Sequence, residues 1–96
     1  MSPIPAPTLA CRVQPSPQAM LQITGDEAIL LDLRSEHYFG LDPVGTRLWQ
    51  LLSVDPELGA AHGALLAEYD VTAERLEQDL LALVAQLADA GLVTVD

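Results

Sequence analysis

The chain has no lysine, and its four arginines face 14 acidic residues, for a formal net charge of −10 at pH 7. Neutralising phosphates takes basic side chains, so this balance opposes DNA, RNA and anionic membranes and favours a neutral or basic partner. Cysteine is nearly absent. Cys11 stands alone, which excludes an internal disulfide and fits a cytoplasmic home. No apolar run reaches the length of a membrane span. The N-terminal stretch MSPIPAPTLACRVQPSP lacks the basic region and apolar run of a secretory signal.

Constellations that carry chemistry are missing too. The two histidines, His37 and His62, fall in different predicted elements with no Cys-x-x-Cys or His-x-x-x-His beside them, so no metal site is expected. There is no Gly-rich phosphate loop and no Gly-x-Ser-x-Gly. No base adjoins Cys11 to lower its pKa. The acids Glu74, Glu77 and Asp79 read as a solvated helix face. We therefore expect no catalytic residue, no metal and no cofactor: a protein that is not an enzyme.

What is present is enough for one small domain: 96 residues, half of them hydrophobic. Five of the seven prolines lie in residues 1–17. Proline fixes φ and removes a donor, so no regular element is expected before Gln18. Residues 1–11 read as a flexible Pro-rich arm, and 12–96 as the domain. From Ala19 the pattern alternates, with Ala19, Leu21 and Ile23 on one face of a first strand. Gly25-Asp26 makes a two-residue hairpin turn. Glu27–Leu33 is a second strand, with Ile29, Leu31 and Leu33 expected inward and Leu30 on the opposite face. A short aromatic strand over 37–41 completes an antiparallel meander, whose outer edge is left open.

Three helices follow. Asp42 is a good N-cap and Pro43 fits the first helical position, starting a helix over about 43–52. Gly45 weakens its first turn, which points to close packing there. Asp55-Pro56 repeats the cap-plus-proline signal before a second helix over about 56–69. Thr72 caps the third, about 73–90, where Leu76, Leu80, Leu83, Val84 and Leu87 form one stripe. Gly91 is a natural stop, and 92–95 form a final strand or strap. The expected fold is α+β and winged-helix-like: a three-stranded antiparallel β-meander followed by three α-helices.

One ordered set of residues resembles the signature of the PqqD-like family, the leader-peptide recognition domains of ribosomally made, modified peptides. It runs from the apolar strand Ile29–Leu33 through Tyr38-Phe39, Gly40-Leu41, Asp42 and Gly45 to Trp49-Gln50-Leu51-Leu52. The ending EYDVTAERLEQDLLALVAQLADAGLV is similar as well, so the resemblance spans roughly residues 12–95. It implies a non-catalytic module that captures the leader of a precursor peptide and presents it to a separate modifying enzyme. In a lasso-peptide system that enzyme would be a leader peptidase or cyclase. The alternative within the family is a chaperone of pyrroloquinoline quinone biosynthesis. The alternative from another class is a DNA-binding winged helix, which the charge of the third helix opposes.

An open strand edge accepts an extended peptide through backbone hydrogen bonds, with side-chain pockets adding selectivity. Glu36, His37, Tyr38, Phe39 and Gly40 form the expected backbone platform. The resemblance implies the same place, with the leader in a groove against the third helix. Tyr38 or Phe39 would form its floor, and Leu76, Asp79, Leu80 and Leu83 its far wall.

Overall fold

The computed structural model describes residues 7–25 and 27–96. In chain order its elements are β1 (Val13–Pro15), β2 (Ala19–Thr24), β3 (Glu27–Asp32), β4 (Tyr38–Leu41), α1 (Pro43–Val54), α2 (Leu58–Glu68), α3 (Ala73–Asp89) and β5 (Val93–Val95). The expected meander is there, with antiparallel order β2-β3-β4, and three helices follow it. Between β2 and β3 the register Thr24↔Glu27 leaves two residues. Gly25 sits at φ +62°, while Asp26, the other half of the predicted turn, lies outside the described residues.

A strand before Gln18 was not expected, and the structure corrects this. β1 pairs antiparallel with β5, Val13 opposite Val95 and Pro15 opposite Val93, as a separate two-stranded sheet. Val13 is fully buried, and its N–H donates to Pro56 O at 2.8 Å. Proline forbids a helix interior but is compatible with extended chain at the end of an edge strand. The predicted arm over 1–11 falls partly on residues 1–6, outside the described residues. Of the rest, Leu9 packs against the core and Cys11 O accepts from Leu58 N–H at 3.2 Å.

The faces of β3 are the reverse of the expected ones. Ala28, Leu30 and Asp32 are buried under the helices, whereas Ile29 and Leu31 are only half-buried and Leu33 is exposed. Alternation was right, but apolar residues occupy both faces, so period 2 alone could not say which face is covered. Asp32 points inward because it builds the turn to β4. Its Oδ1 accepts from Arg34 N–H (3.0 Å), its Oδ2 from the Ser35 hydroxyl (3.1 Å) and its C=O from Glu36 N–H (2.8 Å). Glu36 adopts φ +61°, the left-handed conformation that closes the turn.

Helix starts and stops follow local chemistry where no tertiary contact intervenes. Asp42 caps α1, accepting from Gly45 N–H at 2.7 Å with Pro43 at the first helical position. Thr72 caps α3 through Arg75 N–H at 3.2 Å. α3 ends in a Schellman motif: Gly91 has φ +77°, its N–H donates to Ala88 O, and Leu92 N–H donates to Leu87 O. The predicted Asp55-Pro56 cap fails. The N-cap of α2 is Glu57, without a side-chain bond, and Asp55 instead accepts from Glu57 N–H at 3.1 Å.

The core joins Leu48, Trp49 and Leu52 of α1, Leu58 and Leu65 of α2, and Leu80, Val84 and Leu87 of α3 to Leu30 of the sheet. Each fully buried leucine contributes about 1.5–3 kcal/mol by leaving water. Arg47 clamps α1 to α2 through three bonds of 2.9–3.1 Å to Glu68. That pairing holds the Glu68 carboxyl below its ordinary range. The His62 ring N–H donates to Ala73 O at 2.9 Å, a structural link from α2 to the start of α3.

Candidate functional site

β4 is the outer strand of its sheet, and among the described residues no strand pairs with its far side. Which backbone groups face that side follows from the ladder. Asp32 N–H donates to His37 O at 2.8 Å, and the register places these two residues opposite one another. In an antiparallel pair, hydrogen-bonded and non-bonded positions alternate. Phe39 and Leu41 therefore bond inward to Leu30 and Ala28, while the N–H and C=O of Tyr38 and Gly40 point outward. The edge offers two evenly spaced donor–acceptor sets.

Beside this edge runs a groove of about 560 Å³. Phe39, Gly40 and Leu41 supply its sheet side, the first turn of α1 its floor, and α3 its far wall. α1 must lie here because a single residue, Asp42, separates it from β4. Leu83, half-buried, and Asp79, Ala82 and Gln86, exposed, are the accessible parts of the wall. Leu76 and Leu80 are 3% and 1% exposed and reach the groove only at its base. Asp42 and Asp79 are the charged groups in the lining. Asp79 holds Arg75 at 3.4 Å in an exposed pair on α3.

Of the nine residues singled out from the sequence, Phe39, Gly40, Leu76, Asp79, Leu80 and Leu83 come together around this groove. Glu36, His37 and Tyr38 do not line it. Tyr38 is 75% exposed and turns to the open face of the sheet, where it stands opposite Leu31. Of the two rings considered, strand alternation thus turns Phe39 to the groove, where it lies on the sheet side while α1 supplies the floor. Glu36 and His37 sit in the turn before β4. The close packing expected at Gly45 is there, but sequence reasoning did not place Gly45 and Val44 in the site, nor Tyr69 and Val71 at the junction before α3, nor Ala82 and Gln86 on α3. The Asp42-Pro43 cap could have signalled the first pair, because it fixes where α1 starts. Nothing local marks Tyr69 and Val71.

Among the described residues there is no group of three or more His, Cys, Asp or Glu placed to hold a metal. No helix among these residues is long and apolar enough to cross a membrane.

A small α+β domain with an open strand edge beside an apolar groove is the architecture so defined. The profile described as Coenzyme PQQ synthesis protein D (PqqD) matches residues 27–93, and the chain belongs to this family. Two solved structures share its fold. One is TbiB1 in complex with the TbiA(beta) leader peptide: 35% identity, TM-score 0.76, with 83% of this chain and 93% of that chain covered. The other is a lasso peptide synthetase B1 complexed with the leader peptide: 26% identity, TM-score 0.76, with 86% and 98% covered. No curated protein matches the chain.

Proposed function

We propose that this protein is a non-catalytic leader-peptide-binding module of lasso-peptide type. It captures the leader of a ribosomally made precursor in the cytoplasm and presents it to a separate leader peptidase or cyclase. The observation that carries the reading is the open edge of β4 against the groove, in a chain 35% identical to TbiB1, which was solved with a leader peptide. The leader adds as a strand, bonding to the outward groups of Tyr38 and Gly40. Side chains directly across a sheet share a face, so leader residues opposite Phe39 and Leu41 turn into the groove. Those two positions, spaced i and i+2, are apolar. Asp42 and Asp79 favour a basic or donor group near the rim.

The family profile's own description favours a second reading, a chaperone of pyrroloquinoline quinone biosynthesis. The two leader-peptide complexes, one of them a lasso peptide synthetase, outweigh it at the level of individual proteins. Adjacent genes separate the two: a peptidase and an asparagine-synthetase-like cyclase for the first, a radical enzyme for the second. The binding mode is tested by titrating a leader peptide while following amide resonances by NMR. Shifts should cluster on residues 38–41 and on the Asp79–Leu83 side of α3. Shifts confined to α1 and α2 would refute strand addition.

A further inference from the structure

We infer that Gly45 sets the size of the leader side chain that the groove accepts at its Leu41 end. This rests on the leader-binding reading above and adds to it a residue that determines specificity. Gly45 occupies the third position of α1, buried in the groove floor. Its φ lies outside the left-handed region, where Gly25 and Gly91 sit. Backbone conformation therefore does not demand glycine, and alanine would be the better helix former. What glycine supplies here is space.

A methyl group added at Gly45 would lie 3.1 Å from Asp42 Oδ1, 3.2 Å from Leu83 Cδ2 and 3.3 Å from Leu41 Cδ2. These neighbours do not yield equally. Asp42 Oδ1 is held by its 2.7 Å bond from Gly45 N–H. Leu41 is 9% exposed and packed in the core. Leu83 is half-buried, and its open side is the groove itself. The displaced atom is therefore Leu83 Cδ2, and it moves into the space a ligand would use. A side chain at position 45 narrows the groove through Leu83 and leaves the outward backbone groups of Tyr38 and Gly40 free.

Strand addition places one leader side chain opposite Phe39 and the other opposite Leu41. The second stands over Gly45. With glycine there, that position takes a large apolar residue such as leucine, isoleucine or phenylalanine. With alanine, it takes a small one. The position opposite Phe39 is indifferent to the change.

The test is selection of a display library of random linear peptides on the wild-type protein and on Gly45→Ala. Affinities are then measured for synthetic peptide pairs differing only at one anchor. The wild type should enrich apolar residues at two positions spaced i and i+2. Gly45→Ala should convert one of them to alanine or another small residue and leave the other unchanged. At about fourfold per CH2 of lost apolar contact, displacement worth two such groups changes the large-to-small affinity ratio by about 15-fold. The ratio is independent of the folded fraction, so partial unfolding does not mimic the effect. Adding Leu83→Ala to Gly45→Ala removes the 3.2 Å contact and should restore the large residue, also if Gly45→Ala alone folds poorly. An unchanged preference, an equal shift at both positions, or no restoration in the double variant would overturn the role of Gly45 and leave leader binding standing. Failure of the wild type to enrich any such pattern would overturn both.

Discussion

Gly40→Pro separates the backbone of the proposed site from its side chains. The alternation fixed by the Asp32–His37 bond sends Gly40 N–H to the outer edge of β4. Proline there removes a donor that the folded domain does not use in its own ladder, and edge strands tolerate proline on that side. The preceding residue must be extended, and Phe39 already is, within β4. We expect urea-unfolding stability within about 1 kcal/mol of wild type, the range left by small φ adjustments at a compatible site. Binding is another matter. One net hydrogen bond is worth about 0.5–1.5 kcal/mol. The ring also displaces the incoming carbonyl and weakens its neighbour, for a total of about 1–3 kcal/mol, or about 5- to 150-fold in affinity. Gly40→Ala is the control: it keeps the N–H, and its methyl would meet nothing within 4 Å. Fluorescence anisotropy with a peptide selected on the wild-type protein reads both variants. If folded Gly40→Pro binds as tightly as Gly40→Ala, the leader does not add as a strand at this edge.

Asp79→Ala should leave stability nearly unchanged, because its exposed i,i+4 pair with Arg75 is worth at most about 0.5 kcal/mol; it should weaken a leader with a basic rim residue, and less so in high salt, as calorimetry at two ionic strengths would show. The pH dependence of folding should single out Asp32, whose pKa is lowered chiefly by the Arg34 backbone N–H, with Ser35 and the Arg34 charge assisting. A lowered folded pKa gives stability that is fully present above the ordinary value of 3.8 and is lost as pH falls through the folded value. The stability gap between wild type and Asp32→Asn should therefore be constant near neutrality and close in acid, and a gap that widens in acid would contradict the assignment.

How much could be read without coordinates depended on whether the deciding contact was local. Asp42-Pro43, Thr72 and Gly91 were legible because a cap is decided within four residues. The same signal at Asp55-Pro56 misled, since Pro56 O is taken by Val13 N–H from the far end of the chain. β1 was invisible for the same reason: its partner β5 lies some eighty residues away, and no local pattern reports such a pairing. On β3, two apolar faces left the covered side undetermined until the helices were placed. For the groove, the short aromatic strand offered Phe39 together with Tyr38, and helical periodicity offered Leu83. It also nominated Leu76 and Leu80, which the core claims almost entirely. A helical stripe wide enough to serve a core and a ligand does not announce where one ends and the other begins.

The winged-helix-like order of elements invites the thought that α3 reads DNA, and the disposition of the arginines argues otherwise. Each of the four is already beside a carboxylate: Arg12 with Glu57, Arg34 with Asp32, Arg47 with Glu68 and Arg75 with Asp79, at 2.9–3.6 Å. A phosphate approaching α3 would meet Glu74, Glu77 and Asp89 on that helix, and its one arginine is held by Asp79. Phosphate binding would have to break an existing ion pair while burying like charges, so the electrostatic attraction that drives nucleic-acid binding is absent. The same disposition suits an extended peptide. Strand addition asks only for backbone donors and acceptors, which Tyr38 and Gly40 present, and for an apolar groove, which Phe39, Leu41 and Leu83 line. On the proposed reading the surplus negative charge acts on the partner's side chains instead of its backbone, which favours a leader with basic residues. In the proposed complex the edge of β4, and not the exposed face of α3, carries the recognition.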